Sequence, residues 1–159
     1  MVGTQCCPRW WKEIDRIGLG HSLPSLSYNS LLHGQFCTKV LNCLNVGGES
    51  SALIAAGGSD PILRIWDPHK PGTSAPVFQF LSHISWISAC KWHDKSWFHL
   101  ISSSYDGKVM LWDLRTAWPL AVIESHKDKV LCADWWKGDS VISGGADSKL
   151  CISSGISVL

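Results

Sequence analysis

Seven histidines and seven cysteines are the side chains of this 159-residue chain best suited to proton transfer, nucleophilic attack or metal binding. Their spacing decides which of these is on offer. No H-E-x-x-H occurs, so no two imidazoles stand one helical turn apart to hold zinc. Neither G-x-S-x-G nor G-x-x-x-x-G-K-[ST] is present, which removes the usual nucleophile elbow and phosphate cradle. His93 and His99, with Asp94 nearby, need a third ligand brought by the fold before they can hold a metal. The pairs Gly47-Gly48, Gly57-Gly58 and Gly144-Gly145 read as turn or strand-edge glycines. Cys6, Cys7, Cys37, Cys43, Cys90, Cys132 and Cys151 are odd in number and contain no C-x-x-C. They are read as reduced, mostly buried thiols of an intracellular protein, not a zinc ribbon or a disulfide scaffold.

The elements that position these residues emerge from an internal period. Ala56 to Asp60, Ser102 to Asp106 and Ser143 to Asp147 are each followed, after five residues, by Trp66-Asp67, Trp112-Asp113 and Ser153-Ser154. The aspartates lie 46 and 41 residues apart (106 − 60 and 147 − 106). His83 precedes Ile87 by four and Trp92 by nine, and His126 precedes Val130 and Trp135 by the same offsets. Each unit reads as short strands: Trp86 to Trp92, Phe98 to Ser104 and Lys108 to Trp112 in the second. Asp106-Gly107 suits a two-residue hairpin with both central φ positive. Val109 to Trp112 is continuously apolar, as a strand buried on both faces is. No helical period appears between Ser50 and Ser153, and the chain is read as all-β.

Composition sets the outer limits. Apolar residues make up 45%, enough for a packed core. A net charge of +1 argues against nucleic-acid binding by bulk electrostatics. There is no apolar run of the roughly 18 residues that a membrane-spanning helix needs, and no signal peptide is read in Met1 to Trp11. Ten tryptophans stand out.

The recurring His, Ser, Asp and Trp-Asp resemble WD repeats, the blades of a β-propeller. The resemblance implies a partial propeller of about three four-stranded antiparallel blades, near residues 36–67, 83–113 and 126–153, within a domain 36–159. It also implies a hydrogen-bonded network inside each blade, carried by His83, Ser102, Asp106 and Trp112 in the second. His126, Ser143 and Asp147 carry it in the third, with Ser153 at the Trp position. Asp60 and Trp66 remain in the first, where Phe36 and Ala56 replace His and Ser. Such a buried carboxylate–imidazole pair belongs to the scaffold and not to catalysis, so no catalytic residue and no cofactor is expected.

Three stretches narrow the resemblance: Gly58 to Pro68, Lys70 to Pro76 and His126 to Trp135. With Ser143 to Leu150 they are similar to the plant ribosome-biogenesis WD-repeat family of the PeBoW complex, from about Thr38 to about Ser153. That family implies a nucleolar and nucleoplasmic scaffold for large (60S) subunit assembly, needed for maturation of large-subunit and 5.8S rRNA precursors. It implies partners of the Pescadillo and block-of-proliferation type and pre-60S particles, with no small-molecule ligand and no membrane. The family ring has seven blades, about 300 residues at ~40–45 per blade, and carries a ubiquitin-like domain ahead of them. Residues 1–35 match neither, and are read as poorly ordered terminal sequence or a degraded blade. The sequence is therefore expected to be a C-terminal fragment.

Propellers bind through their rims, where large aromatic and charged residues anchor partners. Trp86, Tyr105, Arg115 and Trp136 are the candidate partner-binding residues. Strand alternation sends Trp136 to the face opposite Trp135. Trp97 and Trp118 are read as packing. A rival function rests on Trp112-Asp113-Leu114-Arg115, which resembles the motif by which some WD-repeat proteins dock the adaptor of cullin-RING ubiquitin ligases. A generic interaction scaffold is the third reading.

Overall fold

The computed structural model describes residues 39–48, 53–69, 75–116, 118–137 and 139–156. Residues 1–35, Phe36 and the segment Lys70 to Ser74 lie outside them. The described residues form eleven strands and no helix. β1 (Leu41–Gly47), β2 (Leu53–Gly58), β3 (Asp60–Trp66) and β4 (Phe78–Phe80) make the first sheet, in that order. β5 (Ile87–Trp92), β6 (His99–Ser104), β7 (Val109–Asp113) and β8 (Pro119–Ile123) make the second. β9 (Val130–Trp136), β10 (Ser140–Gly145) and β11 (Leu150–Ser153) make the third, which has three described strands where four are expected. All neighbours are antiparallel. No helix of the described residues is long and apolar enough to cross a membrane.

The sheets stack because their middle strands are apolar on both faces. Every residue of β6 and β7 is buried. Leu63, Ile65, Phe80, Cys90, Leu100 and Trp112 fill the space between the first and second sheets. Ile101, Val109, Leu111, Val130, Ala133 and Val141 fill that between the second and third. Each fully buried Leu or Ile contributes about 1.5–3 kcal/mol relative to exposure.

The first strand of every sheet has a bulge at the same place, at Leu41/Cys43, Ile87/Ala89 and opposite Gly144/Gly145. The extra residue shifts the alternation, so Ile87 and Cys90, three apart, both face the first sheet. Ile87 lies where a Cβ on Gly57 would be, and Cys90 Sγ reaches Ala55 O at 3.7 Å. Just before each bulged strand, the same rim bond recurs: Ser59 N to Val40 O, Tyr105 N to Trp86 O and Ala146 N to Lys129 O, at 2.8–2.9 Å.

The turn at Asp106-Gly107 differs from the two-residue hairpin that the dipeptide suggests. Only Gly107 has positive φ, at 84°. Its N–H donates to Ser104 O and Ser104 N–H to Lys108 O, so Tyr105 and Asp106 lead a three-residue loop closed by a left-handed residue. The third sheet repeats the turn with Ser148 in the left-handed place, at φ 59°. A side chain at Gly107 would also meet the carbonyls of His126 and Asp128, so the turn seats the loop leading into β9.

Candidate functional site

In the second sheet His83, just before β5, meets three residues that β6, the β6–β7 turn and β7 bring to it. Trp112 Nε1 donates to Ser102 Oγ at 2.7 Å. The indole only donates, so the single Ser102 proton goes to His83 Nε2, 2.8 Å away. His83 then holds its proton on Nδ1 and donates it to Asp106 Oδ2 at 2.9 Å. Asp106 also accepts from the backbone N–H of Ile84 and Lys108. Burial lowers the His83 pKa below its ordinary value, and the Asp106 carboxylate only partly offsets this. Burial pushes the Asp106 carboxyl upward, but its bonds from His83, Ile84 and Lys108 win, so it lies below the ordinary carboxylate range. A neutral imidazole thus rests against an ionised carboxylate, with every polar atom used inside the sheet.

The third sheet keeps the core of this arrangement. His126 bonds Asp147 Oδ1 through Nδ1 and Ser143 Oγ through Nε2, both at 2.9 Å. Ser153 supplies no indole; the Ser125 and Ser143 hydroxyls bond each other in its place, at a longer 3.3 Å. Nothing in the repeat pattern marked Ser125, although it sits directly before His126. The bond from His126 holds the Asp147 carboxyl below its ordinary range. In the first sheet Ala56 offers no hydroxyl. Asp60 instead takes a bidentate pair from Arg64, at 3.0 and 2.6 Å. This guanidinium bond lowers the Asp60 pKa. Trp66 is buried.

A second cluster lies at the opposite end of the second sheet. Asp113 accepts the Arg115 guanidinium through both oxygens, at 3.0 and 2.6 Å, which lowers its pKa. The Arg115 guanidinium also lies 4.5 Å over the Phe98 ring. The Arg115 fork is therefore engaged within its own sheet. His93 Nδ1 accepts from Lys95 N and Ser96 N, and its Nε2 faces Asp139 at 3.3 Å. His99 bonds Ser96 and approaches Asp113. Among the described residues no group of three or more His, Cys, Asp or Glu is placed to hold a metal ion.

The candidate partner-binding residues fall on two rims. Trp86 and Tyr105 stack at 6.0 Å between centroids, and Lys129 Nζ lies 5.4 Å over Tyr105. These sit where β5 and β9 begin. Arg115 and Trp136 sit at the other rim, where β7 and β9 end. There a cleft of about 230 Å³ is lined by His93, Asp94, Lys95, Trp135, Trp136 and Lys137. Trp136 is half-exposed and Trp135 partly buried, on opposite faces of β9. Trp97 and Trp118, read as packing, belong to this rim's surface: Trp97 is half-exposed against Phe98, and Trp118 is 76% exposed in the β7–β8 turn. The thiols also differ from expectation. Of the described cysteines Cys90 is buried, Cys43 and Cys151 are partly so, and Cys132 is exposed.

The WD domain, G-beta repeat family matches residues 74–113 and 117–152. A rice (Oryza sativa subsp. japonica) ribosome biogenesis protein WDR12 homolog is 83% identical over 121 residues, 76% of this chain and 28% of the relative. The Arabidopsis thaliana homolog is 80% identical over 123 residues, 77% of this chain and 28% of the relative. The Chlamydomonas reinhardtii homolog is 38% identical over 121 residues, 71% and 27%. This chain spans less than a third of the length of these relatives. All-β stacked sheets, repeated His–Ser–Asp clusters and four-fifths identity to two plant proteins agree: residues 74–113 and 117–152 match WD repeats, and these repeats are similar to those of the plant WDR12 homologs.

Proposed function

We propose that the chain is a non-catalytic WD-repeat scaffold of large (60S) ribosomal subunit biogenesis, required for maturation of large-subunit and 5.8S rRNA precursors. It acts in the nucleolus and nucleoplasm, on pre-60S particles, beside subunits of the Pescadillo and block-of-proliferation type. The observation that carries this reading is 83% identity to a relative whose name is ribosome biogenesis protein. The distribution of polar groups supports it: the imidazoles and carboxylates of His83, Asp106, His126 and Asp147 are bonded within the sheets, while exposed aromatic residues collect on the rims. Trp86 with Tyr105 on one rim and Trp136 on the other are the anchors for protein partners, while the Arg115 fork is held by Asp113. Engagement of Arg115 by Asp113 counts against adaptor docking through Trp112-Asp113-Leu114-Arg115.

Affinity capture of the tagged chain from plant cells tests this. Pre-60S particles and Pescadillo-type subunits are expected, and Trp136→Ser or Trp86→Ser should cut their recovery several-fold without unfolding the chain. Recovery of a ubiquitin-ligase adaptor in their place, or of neither, would overturn the proposal.

A further inference from the structure

Two thiols meet inside the joint between the first and second sheets. Cys43 of β1 packs toward the second sheet, and Cys90 of β5 faces the first. Their strands are pinned to each other on either side of the pair. Asn42 Nδ2 donates to Ile87 O at 3.0 Å, and Trp92 N–H donates to Asn45 Oδ1 at 2.8 Å. Gly57 makes the room: a Cβ there would stand 3.0 Å from Cys43 Sγ and closer still to Ile87. Cys90 Sγ lies 3.7 Å from Ala55 O on the floor of the joint, and the Cys90 thiol hydrogen-bonds that of Cys43.

The fold does not demand this pair. Cys43 stands opposite Gly57 in its sheet, and Cys90 opposite Ser102 in the next. The same places in the joint between the second and third sheets belong to Ala89, opposite Ser103, and Ala133, opposite Ser143. Methyl groups therefore suffice there. Access to the thiols is one-sided: Cys90 is 2% exposed, whereas Cys43 is only partly covered. Their chemistry is one-sided as well. The bond from Cys90 and the Gly57 N–H outweigh burial and hold the Cys43 thiol below its ordinary pKa. That same bond, with burial, pushes the Cys90 thiol up. Cys43 thus gains thiolate character where a small oxidant reaches it, and Cys90 keeps its proton close by.

We propose that Cys43 and Cys90 are a modification site, a dithiol that hydrogen peroxide converts to a reversible disulfide stapling the first sheet to the second. The Cys43 thiolate attacks peroxide, the O–O bond breaks, hydroxide leaves, and Cys43 becomes a sulfenic acid. Cys90 sulfur then attacks the Cys43 sulfur. The S–S bond forms, the S–O bond breaks, and the hydroxyl departs as water with the Cys90 proton. Both thiols are oxidised to one disulfide, and one peroxide is reduced to two waters. A thiol reductant reverses the link by exchange. The site stands whether or not the chain acts in ribosome assembly.

Titration of the reduced full chain with hydrogen peroxide, then alkylation and mass spectrometry of tryptic peptides, tests it. The peptides carrying Cys43 and Cys90 should become joined before Cys132 or Cys151 is modified, and dithiothreitol should part them. In urea, where other pairings compete, the joined product should fall several-fold. Cys90→Ser should leave a sulfenic acid on Cys43 that dimedone traps, and Cys43→Ser should leave Cys90 unreacted, both with unchanged circular dichroism. Cys90→Ala, which copies the residue at 133, repeats the first test should the serine disturb the joint. Survival of both thiols after Cys132 is oxidised would overturn the proposal. So would a link from Cys43 mainly to another cysteine, an equal yield in urea, or a Cys90 that reacts as readily in Cys43→Ser.

Discussion

At the scale of single residues the chain uses its reactive groups as struts. His83 satisfies Ser102 and Asp106 at once. His83→Ala leaves both without it, one of them an ionised carboxylate, and should cost about 1–3 kcal/mol in denaturant unfolding. A loss well under that range would mean that the cluster adds little to folding. The same residues set a pH dependence. The imidazole pKa is lowered in the folded state from 6.5, so the unfolded chain takes up a proton first as pH falls. Its contribution is complete above 6.5 and is lost as pH falls from there through the lower folded value. Asp106, lowered from 3.8, withdraws its own contribution further down. Thermal melting from pH 8 to 5 should show falling stability, with a shallower slope in His83→Ala. Much of this was legible beforehand, because imidazole, hydroxyl, carboxylate and indole recur at fixed offsets. Arg64 was not. Asp60 and Arg64 are four apart on a strand, hence on one face, but the repeat pattern directs attention to absent His and Ser partners. Nor was the exposure of Trp118 legible: the sequence places it in the loop after Arg115, but an indole of that size reads as packing until the fold leaves it uncovered.

At the scale of elements, one turn is written with two different residues. Gly107 meets the left-handed requirement without strain, and Ser148 meets it at a cost. Ser148→Gly should therefore stabilise the chain by about 0.5–1 kcal/mol. Gly107→Ala should destabilise by more than that, since its Cβ would also press on the His126 carbonyl at 3.0 Å. Equilibrium unfolding of the two variants checks both signs; a neutral Gly107→Ala would refute the account of the turn. The dipeptide Asp106-Gly107 announced a hairpin correctly but not its length, because it suits either a two-residue loop or a longer one in which Gly107 alone takes a positive φ, as here. Strand positions were close to expectation since alternation and apolar runs fix them. The bulge was invisible, as no residue type marks it.

At the scale of the whole molecule, stability is graded along the stack. The second sheet is covered on both faces, while the third offers β11 with no fully buried residue. Hydrogen exchange at low protein concentration should be slowest in β6 and β7 and fastest in β11. Uniform rates would show that the sheets unfold only together. The seats between sheets also differ. Trp92 lodges over Gly47, but the corresponding Trp135 meets the edge of His93 at 4.5 Å between centroids. The sheets are thus not interchangeable modules. Reordering them by recombination would press a tryptophan against an imidazole where a glycine is needed, or leave a hollow where the imidazole was, so their succession along the chain is written into the joints themselves.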